Sequence, residues 1–279
     1  MANQGPDSAA GPPGSLHDPA GQTGFDPQTG RQRVLGWMRQ AGRMALALQS
    51  DGEVLYKADG TPQTPADRRV QDFLIRKIRR QYPQHGILTE EAAPLPGDRQ
   101  VYWVIDPIDG TRAYAAGLPV WCISLALVSG EDVVFGACYQ PATGEMTWGD
   151  AERAACNEQP IRPASMTLDD PLAALLVPSN AHQKYRIHYP RLRSLGSTAA
   201  HLAYLARGAA LGVITRPIYA WDVAGVYPAL RAAGIRLETI SGSSFSLKAL
   251  LDGETTAGPL LAAPDDLFEQ ILSLIDPIG

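Results

Sequence analysis

The segment VYWVIDPIDGTRAY, residues 101–114, constrains this chain more than any other stretch of it. VYWVID reads as a buried strand ending at Asp106, Pro107 cannot extend a central ladder, and Asp109-Gly110-Thr111 opens a helix. A tight turn between the two acids aims both carboxylates at one point. Gly110 permits close backbone approach, and the N–H groups at the helix start lack partners within it, so with the helix dipole they form an anion site. Carboxylates beside an anion site are compatible only with cations between them: metal ions held by the acids would in turn hold a phosphate. Asp-Pro and Asp-Gly are also ordinary turn dipeptides, so the segment needs company before it signifies chemistry.

Two further segments supply that company. Glu90 and Glu91 follow the short apolar run GIL, which places their carboxylates just past a strand. Trp221-Asp222 opens a helix after the strand-like LGVITRP, setting another Asp at a helix start. Read singly, these are an acidic loop and a helix N-cap. Together with Asp67 in the TPAD turn they are the parts a two-metal hydrolase requires.

The surroundings are those of a globular protein. Hydrophobic residues make up 45% and charged residues 19% of the 279 positions, and the net charge of -5 offers no basic surplus for nucleic acid or an anionic membrane. Neither is expected as a partner. Cys122, Cys138 and Cys156 form no CxxC pair and read as reduced thiols, which with the absence of a signal-like N-terminus predicts a cytoplasmic protein. The five histidines show no metal-ligand spacing. Residues 1–30 carry almost no large apolar residues and are expected to be a disordered tail. A domain over 31–279 follows, with an α+β half (31–150) holding most of the acids and an α/β half (151–279) supplying Asp222. Helices are predicted from Val34 to Leu48, Ala66 to Gln81, within SLGSTAAHLAYLARG, and over WDVAGVYPALRAAG.

The strings GILTEEA, WVIDPIDGT and AWDVAG, in this order, with KADGTPQTPAD upstream, resemble the signature segments of the inositol monophosphatase family, within the Mg²⁺-dependent, lithium-sensitive-type phosphatases. The resemblance implies a layered α-β-α-β-α sandwich of the inositol monophosphatase and fructose-1,6-bisphosphatase type, a homodimer, and hydrolysis of a small phosphate monoester by metal-activated water without a covalent intermediate. Carried over residue by residue, it implies that Glu90, Asp106 and the carbonyl of Ile108 hold one Mg²⁺ and that Asp106, Asp109 and Asp222 hold a second. A third, weaker ion is expected near Glu90. Thr111, assisted by Asp67, would orient the attacking water with Glu90, while Asp109 and the N–H groups of Gly110 and Thr111 would meet the phosphate. Two other readings compete: a haloacid dehalogenase-type phosphatase, whose DxDGT motif has a different spacing, and an inactive relative acting as a binding or regulatory module.

The substrate is left open by these residues. Inositol-specific members typically carry a Glu in the segment before the Trp-Asp pair, where this chain has Thr215 followed by Arg216. Arg216 could pair with a second anionic group, and Arg112, directly after DGT, could lie at the pocket mouth. Histidinol phosphate, 3′-phosphoadenosine 5′-phosphate and fructose 1,6-bisphosphate stand beside inositol phosphates as candidates.

Overall fold

The computed structural model describes residues 23–49, 54–57, 60–163 and 166–278. Residues 1–22 of the expected tail lie outside the described residues, but ordered structure begins before Arg31. Phe25 is buried against Phe135, and the Asp26 carboxylate accepts from Thr29 N at 2.6 Å ahead of a long helix.

That helix, α1 (Thr29–Leu48), buries Val34, Leu35, Met38, Ala41 and Ala45 on one face and leaves Leu46 exposed. A short hairpin of β1 (Leu55–Tyr56) and β2 (Pro62–Gln63) leads to α2 (Pro65–Gln81), where Pro65 pre-sets the first turn and Thr64 and Asp67 form a capping box. Both helices cover one face of an eight-stranded sheet. It comprises β3 (His85–Thr89), β4 (Ala92–Leu95), β5 (Asp98–Asp109), β6 (Cys122–Ser129), β7 (Asp132–Gln140), β8 (Glu145–Asp150), β9 (Ala154–Cys156) and β10 (Gln159–Pro160). Their spatial order is β10-β9-β8-β7-β6-β5-β3-β4, antiparallel throughout except for the β3–β5 pair. The one-turn helix α3 (Thr111–Ala115) follows β5.

A five-stranded sheet is formed by β11 (Leu175–Leu176), β13 (Leu192–Arg193), β14 (Gly212–Ile214), β15 (Ile235–Thr239) and β16 (Leu260–Pro264), while β12 (Tyr185–Ile187) pairs separately with β17 (Ile275–Pro277). Helices α4 (Thr198–Ala206), α5 (Ala220–Val223), α6 (Tyr227–Ala232) and α7 (Leu247–Leu251) pack in the core between the two sheets. The last helix, α8 (Asp265–Leu272), closes the far side through Leu267, Phe268 and Ile271. The layers run α-β-α-β-α, as expected. No helix among the described residues is long and apolar enough to cross a membrane.

Period-two alternation sorts the large sheet's side chains into two cores. Trp103, Ile105, Ile123, Leu125 and Leu127 face α1 and α2, whereas Val104, Cys122, Ala126 and Cys138 face α4–α6. On this second face the backbones nearly touch: a Cβ on Gly136 would sit 2.7 Å from the Gly225 carbonyl oxygen. The single helix expected over WDVAGVYPALRAAG is instead two, because the chain turns at Ala224–Val226 to bring Gly225 against the sheet and Pro228 lies in the first turn of α6.

Candidate active site

The strand carrying the first two acids does not stop at Asp106. β5 continues to Asp109, and its register against β6 shifts between Asp106, opposite Ser124, and Asp109, opposite Cys122. Three steps on β5 match two on β6, so one extra residue is inserted beside Pro107, which has no N–H to give the ladder. In a regular strand residues at this odd spacing would point to opposite faces; the bulge cancels the alternation and turns both carboxylates to one side. Asp106 Oδ1 accepts from Ile108 N at 3.0 Å, which holds the bulge in shape.

Asp222 reaches the same place from α5, its Oδ2 accepting from Tyr219 N at 2.8 Å. One carboxylate oxygen from each of Asp106, Asp109 and Asp222 lies within 4.8 Å of the others. α5 is tied to the sheet by Ser124 Oγ, which donates to the Trp221 carbonyl at 3.0 Å.

Asp109 is further held at the N-terminus of α4. Its Oδ2 accepts from Ser197 Oγ at 2.5 Å and Ala199 N at 2.6 Å, with Cys122 Sγ at 3.9 Å. Ser197 also caps α4, accepting from Ala200 N. The sequence reading missed Ser197: a Ser before an apolar helical run signals an N-cap, but nothing local says that its own proton goes to an acid on another element. Gly110 has φ +92°, and a Cβ there would meet Ser197 Cβ at 2.9 Å, so both the conformation and the close approach demand glycine.

Thr111 Oγ1 lies 3.1 Å from the Ile108 carbonyl oxygen and 3.3 Å from Asp67 Oδ1, and both can accept its proton. The other oxygen of Asp67 accepts from Thr64 N at 2.8 Å and Thr64 Oγ1 at 2.5 Å, so the capping box of α2 also aims Asp67 at Thr111. Glu90 stands just past β3, outside the three-carboxylate set, and pairs with Lys57 Nζ at 3.0 Å. Lys57 also binds Glu91 at 2.7 Å, and Gln63 donates to the other oxygen of Glu91. Lys57 is the second residue the sequence reading missed; an exposed-looking Lys in a turn carries no local mark of its partner.

Burial and mutual repulsion dominate the electrostatics. Asp106 is held well above the usual carboxylate range by burial and by the charges of Glu90, Asp109 and Asp222. Burial pushes Asp222 up to about 8, Glu90 to about 7 and Asp67 to about 6, with the Asp109 charge adding to the Asp222 shift and Lys57 opposing that of Glu90. Burial also raises Asp109, against the pull of Ser197 and Ala199. An all-oxygen set of crowded acids suits a hard divalent cation, whose charge would relieve that repulsion. The residues present therefore fit Mg²⁺.

The expected recognition residues divide. Arg112 is exposed, with Nη2 3.5 Å from the Gly60 carbonyl oxygen. Thr215 is buried and its hydroxyl is engaged by backbone, donating to Arg216 O at 2.6 Å and accepting from Leu260 N at 3.1 Å. Arg216 is exposed and close enough to Asp109 and Asp222 for its charge to oppose their shifts.

Residues 32–277 match the sequence pattern of the inositol monophosphatase family. Human inositol monophosphatase 1 is 28% identical over 230 residues, covering 75% of this chain and 83% of that protein. A Nus factor SuhB of Xylella fastidiosa is 31% identical over 211 residues, covering 70% of this chain and 76% of its own. Among solved structures, a Thermotoga maritima IMPase superposes with a TM-score of 0.76 at 22% identity, covering 88% of this chain and 95% of that one. The pattern match spans nearly the whole described chain, and the layered fold agrees with it. The chain therefore belongs to the inositol monophosphatase family and is an enzyme of the phosphatase class.

Proposed function

We propose that this chain is a Mg²⁺-dependent phosphatase of small phosphate monoesters, working by direct attack of water with no covalent phosphoenzyme. The observation that carries the reading is the convergence of Asp106, Asp109 and Asp222, three carboxylates from two distant segments, within 4.8 Å. Asp106, Asp109 and Asp222, with Glu90 and the Ile108 carbonyl beside them, would hold the ions. When bound, Mg²⁺ supplies positive charge that polarises the phosphoryl group and acidifies water.

The chain's own groups do the rest. Thr111, its hydroxyl between Asp67 and the Ile108 carbonyl, orients the attacking water and passes its proton toward Asp67. Burial pushes the Asp67 carboxyl up to about 6, which leaves it a usable proton acceptor near neutrality. Glu90 helps to orient the water, and the N–H groups of Gly110 and Thr111, first donors of α3, face the phosphate oxygens. Water forms the new P–O bond as the ester P–O bond breaks, and the departing alkoxide takes a proton from solvent water. In the proposal, residues 31–150 contribute Asp67, Glu90, Asp106, Asp109 and Thr111, residues 151–279 contribute Asp222 and the leaving-group side, and the protein works as a cytoplasmic homodimer. Size-exclusion chromatography with light scattering reads the dimer.

Inorganic phosphate release from inositol 1-phosphate, histidinol phosphate, fructose 1,6-bisphosphate and glycerol 2-phosphate, with Mg²⁺ and with EDTA, tests the reading. Turnover that EDTA abolishes is expected. Turnover that survives EDTA, or ³²P trapped on a side chain, would sink it.

A further inference from the structure

The segment that delivers Asp222 also builds a surface beside it. Tyr219 and Trp221 lie face to face, ring centroids 4.5 Å apart and planes 14° from parallel. Trp221 packs against the central core, and its carbonyl is anchored by Ser124. Tyr219 lies on top and is 39% exposed, one of few large apolar side chains so exposed among the described residues. Its position is not free: its own backbone N–H is the donor that holds Asp222 Oδ2 at 2.8 Å. The backbone that carries the ring is therefore tied directly to an acid of the cluster, and the ring is backed on one face by indole.

Three residues earlier on the same segment is Arg216, exposed and without a carboxylate partner among the described ion pairs. Between Arg216 and the sheet, the Thr215 hydroxyl is consumed by Arg216 O and Leu260 N. The segment leading to Asp222 thus presents a ring face and a guanidinium whose charge reaches Asp109 and Asp222. A ring face backed by a second ring binds planar π-systems, and a guanidinium binds a carboxylate or phosphate.

We infer that Tyr219 is a stacking platform and Arg216 an anion clamp for the leaving group, so that this enzyme prefers phosphate monoesters whose alcohol carries both a planar ring and a second anionic group. The inference rests on the phosphatase reading above and deepens it.

Four probes separate the two features: adenosine 3′,5′-bisphosphate has ring and second anion, adenosine 2′-monophosphate the ring alone, fructose 1,6-bisphosphate the second anion alone, and glycerol 2-phosphate neither. Phosphate release at saturating Mg²⁺ gives kcat/KM for each. The wild-type enzyme should favour adenosine 3′,5′-bisphosphate. Tyr219→Ala should cost the two adenosine probes about tenfold more than the two others, chiefly in KM, and Tyr219→Phe should restore most of the loss. Arg216→Ala should penalise the two bisphosphates selectively. Equal losses on all four probes, or a wild-type preference for a ring-free probe, would overturn the inference while leaving the phosphatase reading intact. Silence on all four from folded protein would overturn both.

Discussion

The two faces of the eight-stranded sheet are built on opposite plans. Toward α1 and α2 it presents Trp103, Ile105, Ile123, Leu125, Leu127 and Phe135, with Phe25, Trp37 and Tyr82 closing the layer. Toward α4–α6 it meets Ala199, Ala200, Ala203, Ala220, Ala224 and Ala229, with Gly136 and Gly225 in backbone contact. Large side chains bury much apolar area per residue but tolerate small shifts by repacking. Small residues bury less, yet they fix the distance between backbones. The acid cluster straddles the second face: Asp106 and Asp109 belong to the sheet, and Asp222 and the Ser197 cap to the helices pressed on it. The aromatic face chiefly supplies stability, and the Ala/Gly face sets the geometry of the acid cluster.

Phe135→Ala should make the largest difference in stability, about 3–5 kcal/mol, because it empties a fully buried ring site. Its folded fraction should keep near-normal kcat/KM; a catalytic loss much beyond the unfolded fraction would break the division of labour. Gly225→Ala should invert the pattern. Overpacking costs about 1–3 kcal/mol, but pushing α5 from the sheet displaces Asp222, and a shift of about 1 Å can cost on the order of a hundredfold in rate. Denaturant melts and kinetics on the same preparations read both effects.

Ser197→Ala removes one of the donors on Asp109 and should weaken Mg²⁺ binding about 10- to 100-fold by calorimetry, with about 1 kcal/mol lost from the α4 cap. The pH dependence should follow the cluster. Asp222 and Glu90 have folded pKa values of about 8 and about 7, above their ordinary carboxylate values near 4, so the metal-free fold binds more protons than the unfolded chain. Their contribution is complete below about pH 4 and is lost as pH rises through 7 and 8. The Tm of EDTA-treated protein should thus fall over this window, and the Tm gain from Mg²⁺ should grow. A Tm of EDTA-treated protein that rises from pH 5 to 8 would contradict the crowding of acids across the seam. Smallest of all, Leu172→Ser, at a side chain 84% exposed and on neither face, should move stability by less than about 0.5 kcal/mol.

Much of the site was legible because its parts are local signals. An acid at a strand end, a Gly in a tight turn and an Asp in the first turn of a helix are each imposed by neighbouring residues, which is how Asp106, Gly110 and Asp222 stand out. The long helix α1 was legible for the same reason, though its apolar pattern overran the buried face at Leu46. What could not be read was partnership. Ser197 looks like any N-cap and Lys57 like any turn lysine until α4 meets Asp109 and the β1–β2 hairpin meets Glu90. The bulge at Pro107 was read as a turn, because only pairing with β6 keeps the chain in the sheet as far as Asp109.

By itself, then, the sequence determined the chemistry on offer: carboxylates, a glycine and a threonine in a spacing that suits metal-assisted phosphate hydrolysis. Tertiary structure decided where each of them points. One inserted residue reversed the alternation of β5, a seam of alanines and glycines let helix backbone approach sheet backbone, and the two together brought Asp222 to Asp106 and Asp109. Convergence of this kind depends on distances summed over many packed layers, which no local spacing encodes.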